Sequence, residues 1–152
     1  MSFVRTVLAV IAGILLAYGL PWVLERILVE SIAGRNLYTA GDYYMVRNTA
    51  GPMTARVVMA FFLSVLAGHT AARIAKEDVV RTVGISAAAL SMVLIWEYTA
   101  GEFAWGTPIW MRVAIVAITG PSMVLGAYAR AAAAELRTSE PEHEPSTQNR
   151  EG

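Results

Sequence analysis

Cysteine is absent from the 152-residue chain. That excludes a disulfide, a thiolate nucleophile and any cysteine-ligated metal site. Charge is scarce too: Asp, Glu, Lys and Arg together make up 16% of the residues, against about 25% in soluble domains. A protein this small exposes a large share of its side chains, and so few charges do not suffice to face water. The formal net charge is +0, so no basic excess draws in nucleic acid, and there is no acidic excess either. What the chain has in abundance is apolar surface: 56% of its residues are hydrophobic and the mean hydropathy is +0.50. A lipid bilayer is the solvent that accepts such a composition.

Four stretches lack charge altogether. They are "TVLAVIAGILLAYGLPWVL" between Arg5 and Glu25, "VVMAFFLSVLAGHTAA" between Arg56 and Arg73, "TVGISAAALSMVLIW" between Arg81 and Glu97, and "VAIVAITGPSMVLGAYA" between Arg112 and Arg130. A spanning helix needs about 20 apolar residues. The middle two runs are somewhat shorter, and Arg56, Arg73 and Arg81 extend them by reaching toward the headgroups on long stems. The expected fold is an all-α polytopic membrane protein: four transmembrane helices in an antiparallel bundle, a long first extracytoplasmic loop and a disordered C-terminal tail. The helices are placed at about 4–33, 52–76, 79–100 and 108–136 in one domain over residues 1–137. The polar, proline-bearing segment 138–152 forms the disordered cytoplasmic tail.

Local punctuation places the helix ends. Pro52 suits a first helical position, and Thr107 suits an N-cap with Pro108 behind it. Asp78 suits the cap of the third helix, Gly101 its stop, and Gly34 the end of a first helix continued through "ERILVESIA". Pro121 lies inside the fourth run and is expected to kink it by freeing the Ala117 carbonyl. Arg5, Arg73, Lys76, Arg81, Arg130 and Arg137 fall on one side of this topology, and residues 82–111 contain no Lys or Arg. The positive-inside bias puts both termini in the cytoplasm and the chain, multi-pass, in a bacterial inner membrane. Arg26, Arg35, Arg47, Arg56 and Arg112 lie on the other side and dilute the bias. Arg5, the apolar run and "AYG" at 17–19 also resemble a cleavable signal peptide, although the run continues through Trp22, Val23 and Leu24.

Within the spans, small residues recur every four positions: Ala9, Gly13 and Ala17, then Ala60, Ser64, Gly68 and Ala72. This spacing lets helix backbones approach closely in lipid. Gly13, Ser64, Gly68, Ala72 and Gly126 are therefore candidate packing positions, within the bundle or between copies of the chain. His69 is the one intramembrane polar candidate, read either as a neutral imidazole bonded to a neighbour or as a relay or ligand site. Arg73 and Glu77 make an ordinary surface pair.

The stretch "IWEYTAGEFAWGTPIW" (95–110) gathers Trp96, Trp105 and Trp110 with Glu97 and Glu102. Tyr43 and Tyr44, with Glu25, Glu30 and Asp42, join it from the first loop. One reading is an interfacial hairpin with its carboxylates in water. The other is a docking surface for a partner protein or a cationic ligand. No catalytic constellation, cofactor site or metal site is expected, because neither carboxylate has a nucleophile or metal ligand beside it.

"LSVLAGHTAARIAKED" (63–78) and "GPSMVLGAYAR" (120–130) resemble segments of small bacterial four-helix integral membrane proteins of uncharacterised function, with a Gly/Ala-rich, "AARIA"-type second helix. His69 stands where that set has a small or aromatic residue. The resemblance implies a four-helix membrane fold and inner-membrane residence, and it brings no activity. The expected function is therefore non-enzymatic: a structural or accessory protein in the lipid bilayer, packing against itself or other membrane subunits. The alternative is a small oligomeric transporter of a proton, cation or cationic solute, using Glu97 or His69.

Overall fold

A computed structural model describes residues 3–75, 79–101 and 103–139. Lys76, Glu77, Asp78, Glu102 and segment 140–152 lie outside the described residues, as do the side chains of Phe103 and residues 137–139. The elements run α1 (Phe3–Ile14), a π-helical turn (Leu15–Gly19), α2 (Leu20–Ala33), α3 (Ala40–Arg47), α4 (Ala50–Ala75), α5 (Val79–Thr99), α6 (Phe103–Gly106) and α7 (Ile109–Ser139). Four helices are long and apolar enough to cross a membrane: Phe3–Ala33, Ala50–Ala75, Val79–Thr99 and Ile109–Leu136. Among the described residues the structure is all-helical. Many large apolar side chains, such as Leu8, Ile11, Leu15, Phe62, Met92 and Val113, stand exposed on its sides.

The first span is one rod with an irregular turn, and the cause is local. Pro21 has no N–H, and its ring crowds the carbonyl four residues back. The chain widens into a π turn just before it, in which the Leu20 N–H reaches the Leu15 carbonyl. A wide turn takes up an extra residue and so resets the helical phase. That matters because the buried positions of this rod are Ala9, Gly13, Ala17, Pro21, Glu25 and Val29, every fourth residue. On a regular helix such a stripe drifts about 40° per step. The π turn takes back part of the drift, and one face stays turned inward. The rod ends where Gly34 adopts a left-handed φ of 64°, which a residue with a Cβ disfavours.

Helix ends depart from expectation in two places. α4 begins at Ala50, not at Pro52, because the Thr49 carbonyl already accepts the Met53 N–H at 3.2 Å. Pro52 is tolerated in that first turn, where an N–H has no helical partner to lose. Thr107 does not cap α7: the Pro108 carbonyl accepts from Arg112, and the Thr107 hydroxyl accepts from Arg47. α3 forms within the stretch expected as the long first loop. Thr39 caps it by accepting the Asp42 N–H at 3.1 Å. Pro121 sits inside α7 without ending it, on an exposed face.

α4 and α7 make the tightest contact. A Cβ added to Gly68 would collide with the Met123 carbonyl, and one added to Gly126 would collide with the Val65 carbonyl. Gly13 is looser, since a Cβ there would meet its nearest neighbour, Met123 Cε, at 3.4 Å. Ser64, Ala72 and Gly126 are likewise buried, and the Ser64 hydroxyl has no hydrogen-bond partner. These environments predict opposite outcomes. Gly68→Ala and Gly126→Ala are expected to destabilise the fold by roughly 1–3 kcal/mol through overpacking. Ser64→Ala is expected to be neutral or stabilising by about 1 kcal/mol, since it removes an unsatisfied hydroxyl. Denaturant unfolding in detergent micelles, followed by circular dichroism, checks both signs.

Candidate functional site

Glu25 is 4% exposed, on the buried stripe of the first span. An ionised carboxylate in so dry a place is expensive unless paired and hydrogen-bonded. It is paired twice. Arg47, at the end of α3, donates from Nε to Oε1, and Arg56, one turn inside α4, brings its Nε to 2.7 Å from Oε2. The Tyr43 hydroxyl donates to the same Oε1 at 3.2 Å. Both guanidiniums are as buried as the acid, with Arg47 1% and Arg56 5% exposed. The Arg56 contact is an ion pair without hydrogen-bond alignment, and its Nε and Nη1 protons have no acceptor.

The cluster holds the connecting segments as well as the helices. Arg47 Nη1 donates to the Thr107 hydroxyl at 2.8 Å, and Asn48 Nδ2 donates to the Gly106 carbonyl at 2.7 Å. Gly106 lies so close to the Tyr44 ring that a Cβ there would overlap it. The Arg47 guanidinium stacks 5.6 Å from the centroid of that ring. Arg112 ties the start of α7 to α5, donating to the Thr107 carbonyl at 2.6 Å and the Tyr98 carbonyl at 3.2 Å. Burial pushes the Tyr43 phenol well above its usual value, and the Glu25 charge pushes it further. Burial alone would pull Arg47 down, but the charge and hydrogen bond of Glu25 more than reverse this, and Arg47 binds its proton more tightly than a free arginine.

The residues singled out from sequence divide into three groups. Trp96, Trp105 and Trp110 stand outward, with Trp105 95% exposed. Tyr43 and Tyr44 turn inward instead, one onto Glu25 and the other under Gly106. Glu97 is half-buried, with Tyr18 beside it. It faces a cavity of about 10 Å³ shared with Glu25, Arg47, Arg56, Trp22 and Tyr98. Such a space has room for about one water and none for an organic solute. Glu102 lies outside the described residues. His69 is half-buried on α4, thirteen residues beyond Arg56, which is about 20 Å along the helix axis. Leu90, Met111, Ile115 and Met123, all at most 1% exposed, fill the core.

Glu25, expected at a wet surface from the first loop, instead lies buried at the centre of this arrangement, and the sequence carries a signal for it. The small-residue stripe Ala9–Gly13–Ala17 leads by fours to Pro21 and then Glu25. The stripe Ala72–Gly68–Ser64–Ala60 leads by fours back to Arg56 and then Pro52. Each face that packs by close approach ends in a charge, and the two charges meet. No group of three or more His, Asp or Glu among the described residues is placed to hold a metal. No family model, curated protein or solved structure matches the chain.

Removing one partner of a buried pair strands the other, at about 3–5 kcal/mol. Glu25→Gln is expected to destabilise the protein on that scale, because it leaves Arg47 and Arg56 facing each other without a counter-charge. Adding Arg56→Gln should restore part of the loss, giving a coupling energy of roughly 1–3 kcal/mol in a double-mutant cycle. Unfolding in detergent measures it, and strictly additive losses would show that the pair is not coupled.

Proposed function

We propose that the chain is a non-enzymatic accessory protein of a bacterial inner membrane. In this reading the four helices cross the bilayer as an antiparallel bundle with both termini cytoplasmic and a disordered cytoplasmic tail. The long first loop and the aromatic stretch 95–110 then sit at the outer face. The protein's work is to pack against other membrane subunits, or against copies of itself. One observation carries this reading. Three tryptophans stand exposed at one end of the bundle: Trp96 on α5, Trp110 on α7, and Trp105 on the connecting segment that Arg47 and Asn48 fix through Thr107 and Gly106. A fixed platform with exposed indoles suits partner recognition, since aromatic anchors on preorganised backbone lose little entropy on binding.

The transporter reading has less support. The cavity beside Glu97 is too small for a cationic solute. Packed helix separates His69 from it. The resemblance to small four-helix bacterial proteins agrees with the accessory reading and adds no chemistry to it.

Gentle detergent purification of the full chain is expected to recover a second membrane protein. The combined Trp96→Ala, Trp105→Ala and Trp110→Ala variant should lose that protein while keeping its helical circular dichroism. Recovery of the chain alone in every detergent tried would count against the accessory role. Orientation has a separate check, simplified by the absence of native cysteine. An impermeant maleimide should label Tyr38→Cys in intact cells, and Ser146→Cys only after lysis; the reverse pattern would overturn the topology.

A further inference from the structure

The end of the bundle opposite the Glu25 cluster has a different electrostatic character. A pocket of about 590 Å³ opens where the last turn of α4, the start of α5 and α7 meet, with Arg73 and Arg130 in its wall beside Ala72 and Ala134. Arg73 is exposed and Arg130 half-buried. Neither has a carboxylate within ion-pair distance among the described residues. Next to it, between α5 and α7, runs an apolar groove of about 200 Å³ over Val83, Gly84, Val124 and Tyr128. Val79 and Ala131 line both, so the cationic pocket and the groove adjoin. The groove is deepened at Gly84, where an added Cβ would meet nothing within 4 Å.

We propose that pocket and groove form one site for an anionic phospholipid, with its phosphate held between Arg73 and Arg130 and one acyl chain lying over Gly84. Any lipid chain would enter an apolar groove in a bilayer, so the groove alone selects nothing. The two guanidiniums supply the choice. Each presents a planar fork of donors that matches phosphate oxygens, and among the described residues neither is held by an acid; Glu77, expected as a surface partner of Arg73, lies outside the described residues. The pocket lies at the ends of spanning-length helices, where headgroups are found, and basic pockets between helices at that depth take anionic headgroups. The spacing also fits, since the groove begins at Val79 and Ala131, where the charged pocket ends. The inference rests on the membrane-spanning reading above, and its test is separable from that reading.

The test uses the full chain in a neutral detergent, titrated with dioleoyl phosphatidylglycerol, dioleoyl phosphatidylcholine or inorganic phosphate. Native mass spectrometry and thermal unfolding provide the readouts. Phosphatidylglycerol is expected to bind at least roughly tenfold more tightly than phosphatidylcholine and to raise the melting temperature, whereas inorganic phosphate alone should do neither. Arg73→Gln and Arg130→Gln should each weaken phosphatidylglycerol binding about fivefold, and together roughly 25-fold. Both positions are solvent-accessible, so loss of folding is not expected. Gly84→Leu, which fills the groove, should weaken both lipids alike. Equal binding of the two lipids, an unchanged preference in the double arginine variant, or binding of inorganic phosphate as tight as that of the lipid would each overturn the site. Release of the protein from membranes by alkaline carbonate would instead strike the membrane-spanning reading.

Discussion

A single carboxylate shared by two guanidiniums, in a place with almost no water, constrains the whole end of the molecule that carries α3 and α6. Glu25 sits on a helix whose neighbouring buried positions are alanine, glycine, proline and valine. Taking a carboxylate or a guanidinium out of water costs several kcal/mol each, and the cost is offset only when the partners arrive together. Arg56 is delivered by the packing of α4 against the first span. Arg47 comes from outside the spanning-length helices, on an eight-residue helix too short to be stable alone. The folding of α3 is therefore coupled to closure of the bundle: until it docks, Glu25 lacks its hydrogen-bonded partner. Once docked, Arg47 reaches on to Thr107, and the second connecting segment is fixed by the same event.

Two kinds of attraction divide the length of the bundle. Near the middle of their contact α4 and α7 meet backbone to backbone over about one turn, at Gly68 against Met123 and Gly126 against Val65. In lipid the burial of apolar side chains gives little drive to helix association, because the surrounding tails are equally apolar. Close approach and dispersion must serve instead. Toward the α3 end the small residues give way to Arg56, Glu25 and Tyr98, and Coulomb attraction at low dielectric takes over. Close packing there would leave no room for the side chains of α3.

Much of this was legible in the sequence and some of it was not, for identifiable reasons. The four spanning-length helices follow from run length and composition, which tertiary contacts do not alter. The close-contact face of α4 follows from the spacing of Ala60, Ser64, Gly68 and Ala72. Glu25 escaped because a charge after an apolar run reads as the edge of a span. The helix is expected to continue to Gly34, but its small-residue stripe stops at Ala17. The buried stripe runs on through Pro21 to Glu25 and carries the acid inward. Thr107 matched a capping pattern, but its hydroxyl served a buried arginine sixty positions earlier, a demand that no local pattern contains. The π turn at Leu15–Gly19 follows from Pro21 only once the face that must stay buried is known.

The same cluster engages arginines that the orientation rule counts. Arg26, Arg35, Arg47, Arg56 and Arg112 lie toward the α3 end and, simply counted, weaken the positive-inside bias. All five are occupied within the chain. Arg26 holds Glu30 and the Leu37 carbonyl, Arg35 lies 3.9 Å from Asp42, Arg47 and Arg56 share Glu25, and Arg112 caps backbone carbonyls. A guanidinium neutralised or buried in this way presents little net charge to a membrane surface. Arg73 and Arg130, at the other end, have no acid among the described residues to neutralise them. Acids balance bases at each end of the sequence, so the proposed orientation, with the termini in the cytoplasm, rests on the count of Lys and Arg alone. The two ends can be similarly rich in arginine and differ in role: at one the cations hold the fold together, and at the other Arg73 and Arg130 line the pocket proposed above for a phosphate.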